Sequence, residues 1–373
     1  MPQARDGEPP DPRGVDARRD GERPAVPPRG GESRTRRRQD RRVTVPRLGI
    51  VLSPFASEPA ADFIAVAREA ETRGYHTAWV GESSGYDAIS LMTLIASHTE
   101  RIHVGSAVVP VQTRTPVVLG VSAASLGHVA PGRVALGLGL SSRTIVGDWH
   151  GLPFGTSLRQ IREAVQIIRL TASGERVNFE GTFYRVKNFR MTAPPPEKPV
   201  RVVLAALGPE MLELAGEIGD GVVLNWIPPE TVPASIKHLE AGARRAGRTL
   251  DGFEVASFIR TCVTDDPTRV REALARDITG YAIVDAYASF FRAAGFGDEV
   301  EGVNAAWKAG DRAGAVKKIS PRFLDGLGVV GDEAFCRGRI TEFVRAGLTQ
   351  PVIVPFAPPD ARALLIRTLR AFP

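Results

Sequence analysis

The residues best able to do chemistry in this chain sit at the ends of short apolar runs. Ser53-Pro54-Phe55 closes the first run, and Trp79-Val80-Gly81-Glu82-Ser83-Ser84 closes the second. The third ends in Val104-Gly105-Ser106-Ala107-Val108-Val109-Pro110, and the fourth in Gly137-Leu138-Gly139-Leu140-Ser141-Ser142. Ala205-Ala206-Leu207-Gly208-Pro209 follows the fifth, and Leu224-Asn225-Trp226 ends the sixth. The bodies of these runs are apolar while their ends are small, polar or glycine-bearing. A cofactor cleft needs that pattern, because backbone can approach a ligand where side chains carry little bulk. Ser53 and Asn225 are candidate cofactor contacts on this ground. Glu82 is the one ionisable side chain among these ends. It could donate a proton or anchor a hydrogen bond; capping a helix or pairing with arginine is its plainer role.

Ala205–Pro209 is the most readable piece. Small residues and a glycine ahead of a helix expose several N–H groups beside the positive end of the helix dipole, which suits a phosphate. The plainer alternative is a tight strand-to-helix turn. Gly137 and Gly139 match the first two glycines of a dinucleotide-binding fingerprint, but Ser142 stands at the third and no early βαβ unit surrounds them. That reading fails. The six histidines show no ligand spacing, and Cys262 and Cys336 are far apart, so no metal is expected. His150 follows the fourth run and could reach the same mouth. There is no GxSxG elbow and no Walker lysine. A cleft with no evident nucleophile, metal or acid–base pair is best served by a cofactor that brings its own chemistry.

The elements that must hold these ends follow from hydrophobic patterning. Eight short, nearly continuous apolar runs read as strands: 48–52, 77–80, 102–109, 134–138, 200–204, 221–224, 254–263 and 352–355. Continuous apolarity is expected of parallel strands buried on both faces. Helical patterns lie between them at 59–73, 87–98, 115–129, 157–171, 209–218, 229–246 and 332–346. Eight strands alternating with helices predict an α/β fold, a closed (β/α)8 TIM barrel, with a long doubly wound sheet as the alternative. Residues 175–189 alternate polar and apolar around Glu180-Gly181, predicting an inserted β-hairpin. Residues 281–320 predict a helical insertion.

The chain has 373 residues, 43% hydrophobic and 24% charged, and a net charge of +6. Residues 1–42 hold 12 arginines and 8 acidic residues, a net +4, which leaves 6 − 4 = +2 for the body. The basic balance is therefore no sign of a nucleic-acid surface on the barrel. Residues 1–45, rich in arginine and proline, are expected to be a disordered tail, with 46–373 as the barrel domain. Two cysteines fit a reducing cytoplasm, and no run is long and apolar enough to cross a membrane.

The blocks at 79–83, VGSAVVPVQTRTP (104–116), GRVALGLGLSSRTIVGDWHGLPF (132–154) and LAALGPEMLELAGEIGDG (204–221) resemble the luciferase-like oxidoreductase superfamily. FFRAAGFGDEVEGVNAAWKAGDR (290–312) resembles its branch dependent on the deazaflavin coenzyme F420. The resemblance spans residues 46–360 and implies a barrel whose mouth holds F420 or, alternatively, FMN. It implies a non-proline cis peptide at Ala107–Val108 pressing backbone against one face of the ring. Leu140, Ser141 and Ser142 match a cofactor-contacting loop, and Ala206, Leu207 and Gly208 match the phosphate cradle. Some relatives carry Asp-His where this chain has Glu82-Ser83, and sugar-phosphate dehydrogenases place glutamate where Ser142 stands. The implied activity is hydride transfer between F420 and a small organic substrate. The runner-up is an FMNH2-dependent monooxygenase supplied by a separate reductase; a non-catalytic binding protein using the basic tail is a third reading. The resemblance also implies a homodimer.

Overall fold

The computed structural model describes residues 47–56, 59–155 and 157–373. The expected tail, 1–45, lies outside these residues. The strands are β1 (Gly49–Val51), β2 (Thr77–Val80), β3 (His103–Ser106), β4 (Val109–Pro110), β5 (Val134–Gly139), β6 (Val177–Glu180), β7 (Arg185–Phe189), β8 (Arg201–Ala205), β9 (Gly221–Asn225), β10 (Glu254–Val263), β11 (Gly328–Gly331) and β12 (Gln350–Pro355). Parallel pairing runs β1-β2-β3-β5-β8-β9-β10-β12, and β12 pairs back onto β1 with Gly49 opposite Val352. Eight staves close the barrel, and each corresponds to one of the expected runs.

Closure explains the unbroken apolar character of those runs. Val51, Trp79, Ala135, Val203, Val223, Ala256, Phe258 and Val352 point inward and pack together. Their chain neighbours Ile50, Leu52, Ala78, Val80, Leu136, Val202, Leu204, Val222 and Leu224 point outward beneath the helices. Alternate side chains serve opposite faces of a strand, so both sets must be apolar. Inside the barrel, the Trp79 indole N–H donates to Gln350 Oε1 at 2.9 Å, giving the buried ring nitrogen a partner.

Three elements differ from expectation. The third run is broken into β3 and β4: Gly105 faces Ala135, but Val109 faces Leu138, so three residues oppose two. That is a bulge, and it falls at Ser106–Val108. The helical insertion comprises Asp285–Ala293, Gly297–Lys308, Arg312–Lys317 and Pro321–Leu327, while Tyr281 belongs to a preceding helix, Thr268–Ala282. β11, only GVVG, follows the insertion and pairs with the far half of β10, beyond the barrel rim. The hairpin forms as expected from β6 and β7. Buried Glu163 tethers it by accepting the N–H groups of Thr182, Phe183 and Tyr184 at 2.8–3.2 Å.

Candidate functional site at the barrel mouth

The bulge shapes one wall of the mouth. The Ala107–Val108 peptide is cis, as the resemblance implied. Ala107 N–H donates to Val80 O at 2.7 Å, and Ser106 Oγ exchanges hydrogen bonds with Gly137 N–H and O, each 2.8 Å. The glycines of GLGLSS have a packing reason here. A Cβ on Gly137 would lie 1.9 Å from Ser106 O, and one on Gly139 2.8 Å from Val108 Cγ2. They let the fourth barrel stave close against the bulge, not against a pyrophosphate.

A cavity of about 620 Å³ opens beside it, lined among others by Ala107, Val108, Leu140, Ser141, Ser142, Asn225 and Glu82. A smaller one of about 170 Å³ shares Leu140, Ala205, Val223, Asn225 and Tyr287 with it and adds Ala206, Leu207 and Met211. Of the eleven candidates, nine thus line one continuous space. Ser53 does not: its hydroxyl accepts Gly81 N–H at 2.7 Å and fixes the turn after β2. Gly208 is the N-cap of the helix Pro209–Ile218, with extended backbone (φ −81°, ψ 159°) and open space where a Cβ would be. No side chain caps that helix. His150 is exposed and outside the cavity lining.

Glu82 is clamped. Arg114 donates to both its oxygens at 2.8 and 2.9 Å, Ala88 N–H adds a bond at 3.2 Å, and Arg114 also reaches Asp87. Ser142 Oγ caps the helical turn that follows it, accepting Ile145 N–H at 3.3 Å.

β10, the helix Thr268–Ala282 and the start of the insertion together form a polar wall that the sequence did not reveal. Arg260, near the far end of β10, lies under Trp226 with its guanidinium 3.9 Å from the ring centroid and donates to Asn225 Oδ1. Asn225 Nδ2 donates to Tyr287 Oη at 2.8 Å. Asp277, Tyr281 and Tyr287 complete this side. Burial pushes the Asp277 carboxyl above its ordinary value, opposed by the Arg260 charge. Burial pushes the Tyr287 phenol up to about 12, with Tyr281 adding to the shift. The one available signal was that β10 is ten residues long, enough for Arg260 to rise past the packed barrel interior.

A larger concavity of about 950 Å³ shares no lining residue with this space. Its arginines are engaged, Arg271 with Asp325 at 2.5 Å and Arg322 with Glu299 at 3.3 Å. The barrel mouth has the better chemistry.

A sequence profile of the luciferase-like monooxygenase family matches residues 40–350. The chain belongs to that family. It is an oxidoreductase of the luciferase-like class. A 5,10-methylenetetrahydromethanopterin reductase of Methanolobus tindarius is 28% identical over 332 residues, covering 85% of this chain and 97% of the relative. Among solved structures, the coenzyme F420-dependent tetrahydromethanopterin reductase of Methanopyrus kandleri superposes with a TM-score of 0.75 at 23% identity, over 88% of this chain and 99% of that one. A monooxygenase from Streptomyces bottropensis superposes with a TM-score of 0.63 at 20% identity, covering 87% and 97%. Likeness at these identities carries the barrel.

Proposed function

We propose that this member of the luciferase-like family is a coenzyme F420-dependent oxidoreductase acting on a small organic substrate. The observation that carries the reading is the bulged backbone at Ala107–Val108, backed by Gly137 and Gly139, on the wall of a cavity that ends at an uncapped helix N-terminus. Flat, side-chain-poor backbone suits one face of a tricyclic ring. Ala206 N–H is taken by Val223 O at 3.1 Å, so Leu207, Gly208 and the uncapped first turn of the helix Pro209–Ile218 would supply the N–H groups for a phosphate. The residues present therefore fit the group. A Mycobacterium tuberculosis relative named a putative coenzyme F420-dependent oxidoreductase, 26% identical over 338 residues, supports F420 over FMN.

Bound and reduced, the deazaflavin supplies a hydride. The protein orients ring and substrate and keeps water out. Leu140 and the Tyr281–Tyr287 wall supply the apolar and aromatic surface for that exclusion. Glu82 serves as an anchor: held by Arg114, it ties the loop after β2 to the N-terminus of the helix Ala88–His98. Substrates with a polarised double bond, an activated alkene, imine or carbonyl, fit such chemistry. A homodimer is part of the reading, supported by exposed Val118 and Val129 on the very apolar helix Pro116–Val129. A cytoplasmic location is also part of it. No helix among the described residues is long and apolar enough to cross a membrane.

The runner-up, an FMNH2-dependent monooxygenase served by a separate reductase, is favoured by the structural likeness to the Streptomyces bottropensis enzyme. Side-by-side titration of cofactor-free protein with F420, FMN and reduced FMN, followed by absorbance and fluorescence, separates the two. Micromolar F420 binding with weak FMN binding supports the proposal. Tight binding of reduced FMN alone overturns it and turns the search towards oxygen consumption.

A further inference from the structure

Two carboxylates line the mouth cavity, Glu82 and Asp277, in opposite surroundings. Glu82 has both oxygens bonded to one guanidinium. Asp277 faces Arg260 across 3.9 Å, too far for a hydrogen bond, and among the described residues nothing donates to its carboxyl oxygens. A site with two carboxyl groups in contrasting environments divides their labour. The clamped one is fixed as an acceptor; the loosely paired one is free to carry a proton.

Asp277 is also placed to be recharged. It and Arg260 line a second cavity of about 480 Å³, bounded by Pro54, Phe356, Pro358, Pro359 and Leu365. The pair thus forms a partition with the substrate space on one side and a separate concavity on the other. The charged and titratable groups around Asp277 are Arg260 on β10, Arg276 and Tyr281 on its own helix, Tyr287 on the next helix, and Arg362 across the second cavity. Tyr287, with its phenol pushed up to about 12, is the poorer acid.

We propose that Asp277 is the proton donor of the reaction at this mouth and that Arg260 holds the carboxylate left behind. The inference rests on the F420-dependent reading above. In the reducing direction, a C–H bond of the reduced deazaflavin breaks and the hydride forms a new C–H bond on the electron-poor atom of the substrate double bond. The π pair moves to the other atom, which takes the proton as the Asp277 O–H bond breaks. Substrate is reduced, the oxidised cofactor releases its ring N–H proton to solvent, and Asp277 regains a proton from water through the second cavity, so that charge and protons balance. Burial raises the proton affinity of the carboxyl, and the nearby guanidinium lowers the cost of the charged state.

The test uses the whole chain with F420 and two simple acceptors, menadione and 2-cyclohexen-1-one. Carboxyl-labelled aspartate NMR, with Asp277→Asn to assign the resonance, should give a titration midpoint above the ordinary aspartate range. Asp277→Asn should bind F420 with unchanged affinity by fluorescence quenching yet lose about 100-fold or more in kcat. Asp277→Glu should restore part of that rate. In the wild type, kcat should fall as pH rises through the Asp277 midpoint, and that limb should vanish in Asp277→Asn. An ordinary midpoint overturns the assignment, as does an Asp277→Asn protein with the wild-type rate and pH profile; the F420 reading survives both. F420 bound to wild type with neither acceptor reduced removes the reductase reading and this inference with it.

Discussion

The Ser106 hydroxyl stands between Gly137 N–H and Gly137 O, 2.8 Å from each, where the bulge interrupts the ladder between the third and fourth barrel staves. One side chain replaces the missing main-chain partners, and the Ser106 carbonyl comes so close that only glycine fits at 137. Gly137→Ala must push the bulge outward, because its methyl would sit 1.9 Å from Ser106 O. The expected outcome is a loss of about 2–4 kcal/mol in urea unfolding, with F420 affinity reduced by more than the fold loss explains. Unfolding curves and cofactor titration on the same sample check it.

Gly208 offers a sharper experiment, because two effects of one substitution have opposite signs. Its extended backbone is the N-cap conformation, and the helix it starts has no side-chain cap. Gly208→Asp should therefore stabilise the helix by a few tenths to about 1 kcal/mol. The same carboxylate would occupy the open space beside Ala206 and Leu207 and repel a phosphate. A Tm that holds or rises together with at least tenfold weaker F420 binding is expected. Unchanged affinity would remove the phosphate from this cradle.

The barrel was legible because closure demands apolar residues on both strand faces, and runs such as Val202–Leu204 and Val222–Leu224 carry that demand in every residue. The cradle was legible for a local reason too: a small-residue turn before Pro209 needs no distant partner to be recognised. Ser53 was read as a ligand contact because it ends a strand, yet its hydroxyl serves Gly81, a pairing that depends on how two loops meet. Arg260 and Asp277 escaped notice for the same reason. One stands on β10 and the other on a helix that patterning had not marked, and only the fold brings them to 3.9 Å. β11 is four residues long and carries glycine at both ends, too little for periodicity to register.

Glu82→Gln separates anchoring from proton transfer. The substitution removes the charge that meets Arg114 while leaving an oxygen to accept from Ala88 N–H. Because the pair is only partly exposed and bidentate, a loss of about 1–2 kcal/mol is expected, along with weaker substrate or cofactor binding. The pH profile of kcat should keep the shape of the wild type. A vanished limb would make Glu82 the proton donor and count against Asp277.

His76 and His103, at the opposite end of the barrel from the mouth, predict how the protein responds to acid. Their rings stack with centroids 4.4 Å apart, and His76 Nδ1 lies 3.2 Å from Gln350 Nε2. Burial lowers both to about 4; for His76 the neighbouring His103, Arg47 and Arg201 lower it further, and for His103 Arg201, Arg133 and Arg47 do so. In the unfolded chain each histidine takes up its proton near pH 6.5. Between pH 6.5 and 4 the unfolded state therefore binds more protons than the folded one, and stability falls as pH falls through that window. The denaturant midpoint should be level above pH 7 and decline from pH 6.5 towards 4. The double variant His76→Gln, His103→Gln should be less stable at pH 7 but show a shallower decline. Parallel wild-type and variant curves across the window would mean that other groups govern acid sensitivity.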